Sequence, residues 1–258
     1  MKQLLKRALP AQLKRWLGLR SKHCKISYSQ EGEDRILSVL LGLNGRNTAG
    51  FYVDVGAHHP ERYSNTLLFY ANGWSGINID AMPGSMRPFR KERPRDINVE
   101  AAVSERPTTL MFYEFNEPAL NGFSSEVAAK RENTRGWAIV RKTPIPTVRL
   151  ETLLERHLSP DQTIDFMSID VEGLDLEVLK SSNWTKFRPA VVLVEDNEND
   201  GANKATVSPI TTFMDSHGYQ PCCRTLLTTF FVDKKQIEYT SAGLRINRAG
   251  VKTPNRMA

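Results

Sequence analysis

The feature that most constrains the fold is the stretch from Phe51 to Asp80. It opens on the apolar residues Phe51, Tyr52 and Val53 and passes through Asp54, Val55, Gly56, Ala57, His58, His59 and Pro60. After a helical segment it returns as Ser75-Gly76-Ile77-Asn78-Ile79-Asp80. Two apolar runs therefore carry acids at their ends, and Asp54 and Asp80 lie 26 residues apart. That separation fits one loop, one helix and one turn, the front half of a nucleotide-binding βαβ unit. Gly56 permits a sharp turn and a close backbone approach to a ligand. Asp80, at the tip of the second strand, is suited to accept hydrogen bonds from two ribose hydroxyls. The pyrophosphate fingerprint G-x-G-x-x-G is absent, because His58, His59 and Pro60 stand where further glycines would be needed. A ligand with a ribose and no pyrophosphate fits this pattern, and S-adenosylmethionine is such a ligand.

The rest of the chain alternates in the same way. Helices are predicted over 65–72, 84–93, 151–156, 174–181 and 209–217, with another beginning near Ser29 to Glu33. Strands are predicted over 51–55, 77–79, 98–102, 110–115, 145–149, 164–169 and 190–195, and Tyr219 to Val232 reads as a terminal hairpin. The polar segment from Asn116 to Lys142 reads as a loop or mobile cover near a substrate. Strands alternating with helices imply an α/β, mostly parallel sheet with helices on both faces. Ligands in such sheets bind beyond the carboxyl ends of the strands. Asp54, Asp80, Asp170 and Glu195 all fall at such ends.

Several motifs, in order, resemble those of the FkbM-type methyltransferases: Tyr28-Ser29-Gln30-Glu31-Gly32-Glu33-Asp34, then Phe51 to Pro60, Ser64-Asn65-Thr66, Gly73 to Asp80, and Ile169 to Gly173. The resemblance runs from about Ser27 to Glu198. It implies a class I methyltransferase (Rossmann-like) fold that uses S-adenosylmethionine. It further implies an O-methyltransferase acting on a sugar hydroxyl of a glycan or glycosylated metabolite. The terminal hairpin suits that sheet better than a plain dinucleotide fold. The competing reading is a non-catalytic nucleotide-binding or scaffold protein that retains the cofactor pocket.

On these grounds Asp54, Gly56, Ala57, Asp80 and Ala81 are the candidate cofactor residues. An ordinary strand-to-helix turn also explains Asp54 and Gly56, and a helix cap explains Asp80. Asp170 and Glu172, after the fourth core strand, belong beside the transferable methyl group in this fold class. A sugar hydroxyl is a poor nucleophile until deprotonated, so a base or a metal should assist. Asp170 and Glu172 are suited to either task; the plainer reading makes them a helix cap and a structural acid. His58 is a further candidate base, although one histidine of the pair can simply orient the loop. Asp170, Glu195 and Asp196 offer oxygen ligands suited to Mg²⁺, against the simpler reading of a solvated acidic loop.

Charge is unevenly placed. The chain carries +6, but Met1 to Lys25 holds eight Lys or Arg and no acid, which leaves residues 26 to 258 at −2. The sequence thus divides into a basic arm, 1–25, and a methyltransferase domain, 26–258, and the domain gives no sign of a nucleic-acid partner. Leu5, Leu9, Leu13, Trp16 and Leu17 share one helical face of the arm, interrupted by Pro10. A basic amphipathic helix of this kind suits peripheral contact with a membrane through residues 1–22, or packing on the domain itself. Charges break any apolar signal-peptide core. Three cysteines, Cys24, Cys222 and Cys223, suggest no disulfide framework. A cytoplasmic protein is expected, with the arm at the inner face of the membrane where it binds lipid.

Overall fold

Two apolar cores lie on opposite faces of one sheet in the computed structural model, which describes residues 24–43, 49–196, 207–240 and 243–246. The division follows from strand periodicity. In β1 (Phe51–Val55), Val53 and Val55 point into one core and Tyr52 into the other. The first core receives α5 (Leu150–His157), α6 (Asp175–Lys180) and α7 (Pro209–Ser216) through Leu150, Leu153, Leu154, Val178, Leu179, Ile210 and Met214. The second receives α1 (Glu33–Leu40) and α2 (Leu67–Ala71), whose Leu37, Phe69 and Tyr70 pack with Trp74 and Phe166. Each such side chain gains about 1.5–3 kcal/mol on full burial, which is what holds the helices down.

The sheet contains β2 (Ser75–Asp80), β3 (Ile97–Glu100), β7 (Phe166–Ile169), β8 (Val191–Glu195), β9 (Tyr219–Arg224) and β10 (Thr228–Asp233), in the order β3-β2-β1-β7-β8-β10-β9. All neighbours are parallel except β10, which runs antiparallel to both β8 and β9. The expected α/β sheet, helices on both faces and antiparallel terminal hairpin are therefore present. The chain winds outward one way from β1 through β2 and β3, and the other way from β7. The switch point falls between β1 and β7, where Val55 pairs with Ile169. Gly56 and Asp170, the next residue of each strand, meet there.

Two differences from the sequence reading matter for the site. The segment 116–142 was expected to be loop; it holds a 3₁₀ turn (Pro118–Leu120), α4 (Ser125–Arg131) and the first residues of β6 (Ile139–Val148). Ser124 caps α4 by accepting from Val127 N, a start signal hidden in a polar stretch. β6 pairs with β5 (Thr109–Phe115) and, at its far end, with β4 (Ala102–Val103), so this segment forms a small second sheet beside the cleft. A further hairpin, β11 (Ile237–Thr240) with β12 (Gly243–Ile246), was also unforeseen. Helix α3 (Met86–Glu92) follows β2 as expected. Of the basic arm, only Cys24 and Lys25 fall among the described residues. Among the described residues no helix is long and apolar enough to cross a membrane.

Candidate functional site

The carboxyl end of β1 sets the geometry. Gly56 has φ +85, and a Cβ there would lie 1.7 Å from the carbonyl oxygen of Asp170. Only glycine allows the two strand ends to meet so closely. The turn is fixed by Gly56 N and Ala57 N, which both donate to Ile79 O. His58 is also left-handed, at φ 52, and its N–H donates to Asp80 Oδ2 at 2.9 Å. Met82 N donates to the other oxygen of Asp80 at 2.8 Å. Asp80 therefore ties the β1 loop to the β2 loop rather than capping a helix, since α3 starts at Met86 with Ser85 at its N-cap, and its carboxylate still faces the cleft. Burial raises its pKa against these two donors.

Beneath the loop lies a buried arginine that sequence inspection did not single out. Arg93, just past α3, is fully buried. It donates to Pro60 O at 2.5 Å, Ser64 Oγ at 2.9 Å, and Tyr52 Oη and Thr66 Oγ1 at 3.2 Å, and lies 3.6 Å from Asp96. Thr66 in turn donates to Asp54 Oδ2. Burial pushes the Asp54 carboxyl up to about 6 in spite of Arg93 and Thr66. The Ser64-Asn65-Thr66 motif thus divides its work. Ser64 and Thr66 face the arginine, while Asn65 lines the cleft and donates to Ser168 Oγ at 3.0 Å. Asp34, from the upstream motif, closes its own segment by accepting from Tyr28 N, Ser27 Oγ and Ser29 Oγ.

One cleft gathers Asp54, Gly56, Ala57, His58, Asp80, Ala81, Asp170 and Glu172, every cofactor and catalytic candidate named from the sequence. Phe112 and Phe123, from the second sheet and its following loop, close its outer wall. An adjoining cavity is lined by Arg62, Glu117, Arg131, Arg135, Trp137 and Glu195. Asp170 and Glu172 line both, so they stand where the two cavities meet.

The acids at this junction are crowded. Asp170, Asp175 and Glu195 each place a carboxylate oxygen within 4.8 Å of the others. Burial, then the charges of Glu195, Glu172 and Asp175, drives the Asp170 pKa well upward, although the side chain keeps surface open to the cleft. Asp175 rises to about 8 through burial and Glu195. Its oxygens accept from Val171 N and Gly173 N at 3.1 Å, which holds the left-handed Glu172 between them. Glu172 rises to about 7 through burial and Glu195, opposed by Arg131 at 2.5 Å. Asp196, the remaining metal candidate, is turned elsewhere: it accepts from Ser208 Oγ at 2.7 Å. Asp175 takes its place in the cluster. The donor set is hard and anionic, as Mg²⁺ prefers, but two of its lone pairs are already engaged by backbone N–H groups.

The histidines separate. His59 Nδ1 accepts from Glu61 N and Arg62 N and shapes the loop. His58 stacks against Tyr63 and lines the first cleft, with its Nε2 buried and without a partner among the described residues. Burial lowers its pKa, which keeps the ring neutral.

Comparison with known proteins assigns the chain to a family. The profile of the methyltransferase FkbM domain matches residues 54–221. Among solved structures, the crystal structure of a methyltransferase FkbM from Methylobacillus flagellatus KT matches at 12% identity and a TM-score of 0.46. The match covers 76% of this chain and 47% of that one, so the chain spans about half the length of that relative. No curated protein matches it.

Proposed function

The chain belongs to the FkbM methyltransferase family, and from that premise we propose that it is an S-adenosylmethionine-dependent O-methyltransferase. Its acceptor in this reading is a sugar hydroxyl of a glycan or glycosylated metabolite. The observation that carries the proposal is the junction at Asp170, where a cleft shaped by a βαβ turn opens into a second, polar cavity. Two substrates must meet at such a point for a direct transfer.

Asp80 takes the ribose hydroxyls, and the Gly56–Ala57 turn admits the cofactor close to the backbone. When bound, the cofactor supplies an electrophilic methyl group on a positively charged sulfur. The junction of the two cavities would hold the acceptor oxygen against that methyl group; positioning of this kind contributes roughly 7–11 kcal/mol. Asp170 removes the hydroxyl proton, its carboxylate standing at the junction of the two cavities. Glu172, fixed by Arg131, orients the acceptor. His58, on the cofactor side, stands as a neutral hydrogen-bond partner. The setting is cytoplasmic in this reading, and the acceptor is not a nucleic acid.

Calorimetry with S-adenosylmethionine, S-adenosylhomocysteine and NAD tests the cofactor: tighter NAD binding would remove the methyltransferase reading. Radiolabelled cofactor with a cell extract then tests turnover. Cofactor binding with no labelled carbohydrate would favour the scaffold alternative. Chelation with EDTA decides whether Mg²⁺ takes part; undiminished turnover leaves the carboxylates to proton transfer alone.

A further inference from the structure

The second cavity contains three arginines, and they are not equivalent. Arg62 pairs with Glu117 at 2.9 Å and Arg131 with Glu172 at 2.5 Å. Arg135 makes no ion pair among the described residues; its guanidinium lies near the Trp137 ring, 5.7 Å from the centroid. It is exposed at the cavity rim.

Its position is held at a cost. Asn133, Arg135 and Gly136 have φ of 64, 52 and 80, a left-handed turn that favours glycine. The surrounding hydrogen bonds fix it: Asn133 N to Trp137 O, Trp137 N to Thr134 O, Thr134 Oγ1 to Lys130 O, and Asn116 Nδ2 to Gly136 O. A strained turn braced from several sides presents one unpaired cation beside an aromatic ring. Tyr63 also lines the cavity and is left-handed, but its ring already carries the Arg62 guanidinium at 4.6 Å and the stacked His58.

We propose that this cavity selects a sugar acceptor bearing an anionic substituent, a carboxylate or a phosphate, which Arg135 binds at the rim while the pyranose ring lies against Trp137. This rests on the methyltransferase reading above. Asp170 and Glu172 line both cavities and so stand at their junction, while Arg135 lines the second cavity only. Of the three arginines in that cavity, Arg135 alone has no carboxylate partner among the described residues.

The test uses the full chain loaded with S-adenosylhomocysteine and three probes: trigalacturonate, glucose 6-phosphate, and the carboxyl-reduced, neutral form of the trisaccharide. Affinities come from ligand-observed NMR titration at low and high salt. Trigalacturonate should bind roughly tenfold or more tighter than its reduced form, the scale of one charged hydrogen bond, and the gap should narrow with salt. Arg135→Gln should close the gap while leaving S-adenosylhomocysteine affinity intact, and Arg135→Lys should restore part of it. Preference for glucose 6-phosphate over trigalacturonate would assign the substituent as phosphate. Equal binding of charged and neutral trisaccharides, no binding of either anionic probe, or an unchanged gap in Arg135→Gln would overturn the proposal. Failure to bind S-adenosylhomocysteine in the calorimetric control would overturn the methyltransferase reading beneath it.

Discussion

Asp80 ends β2 and Asp170 follows β7, the strands on either side of β1, and their surroundings suit them to different work. Asp80 accepts two backbone N–H bonds and is held rigidly in the first cleft. Removing it by Asp80→Ala should weaken S-adenosylhomocysteine binding by about 1–3 kcal/mol, the worth of hydrogen bonds to a charged acceptor. Calorimetry measures this, and an unchanged Kd would show that the ribose lies elsewhere. Asp170 instead stands among carboxylates at the cavity junction. Asp170→Asn keeps the shape and removes the base, so kcat should fall about 100-fold or more while cofactor Kd moves little. Equal loss of both would make Asp170 a cofactor residue. The sequence exposed both acids because each follows an apolar run. It did not expose Asp175, whose carboxylate holds the Glu172 turn across four residues. Nor did it reveal that Asp196 turns toward Ser208, because neighbouring residues at a strand end point in different directions.

At the scale of elements, the parallel core was legible because buried strands read as short apolar runs between turn residues. Of the second sheet, β5 and the end of β6 were legible as the strands expected at 110–115 and 145–149, but residues 139–142 were not. The stretch 139–148 is largely exposed and includes two prolines, so its strand rests on pairing with β5 rather than on local pattern. The anchoring of the loop after β1 was equally invisible, because it depends on Arg93, distant in sequence and fully buried. That arginine satisfies Pro60, Ser64, Tyr52 and Thr66 together. Arg93→Met would leave those acceptors without their donor and Asp96 without its cation. Breaking a buried pair of this kind costs about 3–5 kcal/mol. Equilibrium urea unfolding, followed by tryptophan fluorescence, should show the loss as a lower midpoint. Cofactor affinity should fall with it, since Thr66 also fixes Asp54. A midpoint within error of the parent would mean that the arginine contributes no net stability.

The whole molecule is divided in charge, a basic arm against a slightly acidic remainder. We propose that residues 1–22 bind an anionic membrane surface, each nearby Lys or Arg contributing about 1 kcal/mol at low salt. Their deletion should abolish sedimentation with phosphatidylserine vesicles and spare cofactor binding; no sedimentation of the full chain at either low or high salt would end the idea. The acids have a consequence of their own. Burial lifts Asp54 to about 6, and burial with Glu195 lifts Glu172 to about 7 and Asp175 to about 8. A carboxyl whose folded pKa is raised holds its proton longer in the folded state than in the unfolded one. Between about pH 4 and about pH 8 the folded chain therefore binds more protons, and these groups lower stability as pH rises through that window. A sulfonium placed beside the cluster favours the ionised carboxylates, so its binding expels protons and strengthens with pH. S-adenosylhomocysteine lacks that charge and otherwise makes the same contacts. The affinity of S-adenosylmethionine relative to S-adenosylhomocysteine should therefore climb several-fold from about pH 5.5 to about pH 8.5, since each proton released contributes up to tenfold per pH unit. Parallel calorimetric titrations across that range measure the ratio directly. A ratio that stays flat or falls would place the sulfonium away from Asp170, Glu172 and Asp175, and the base at Asp170 would lose its reason.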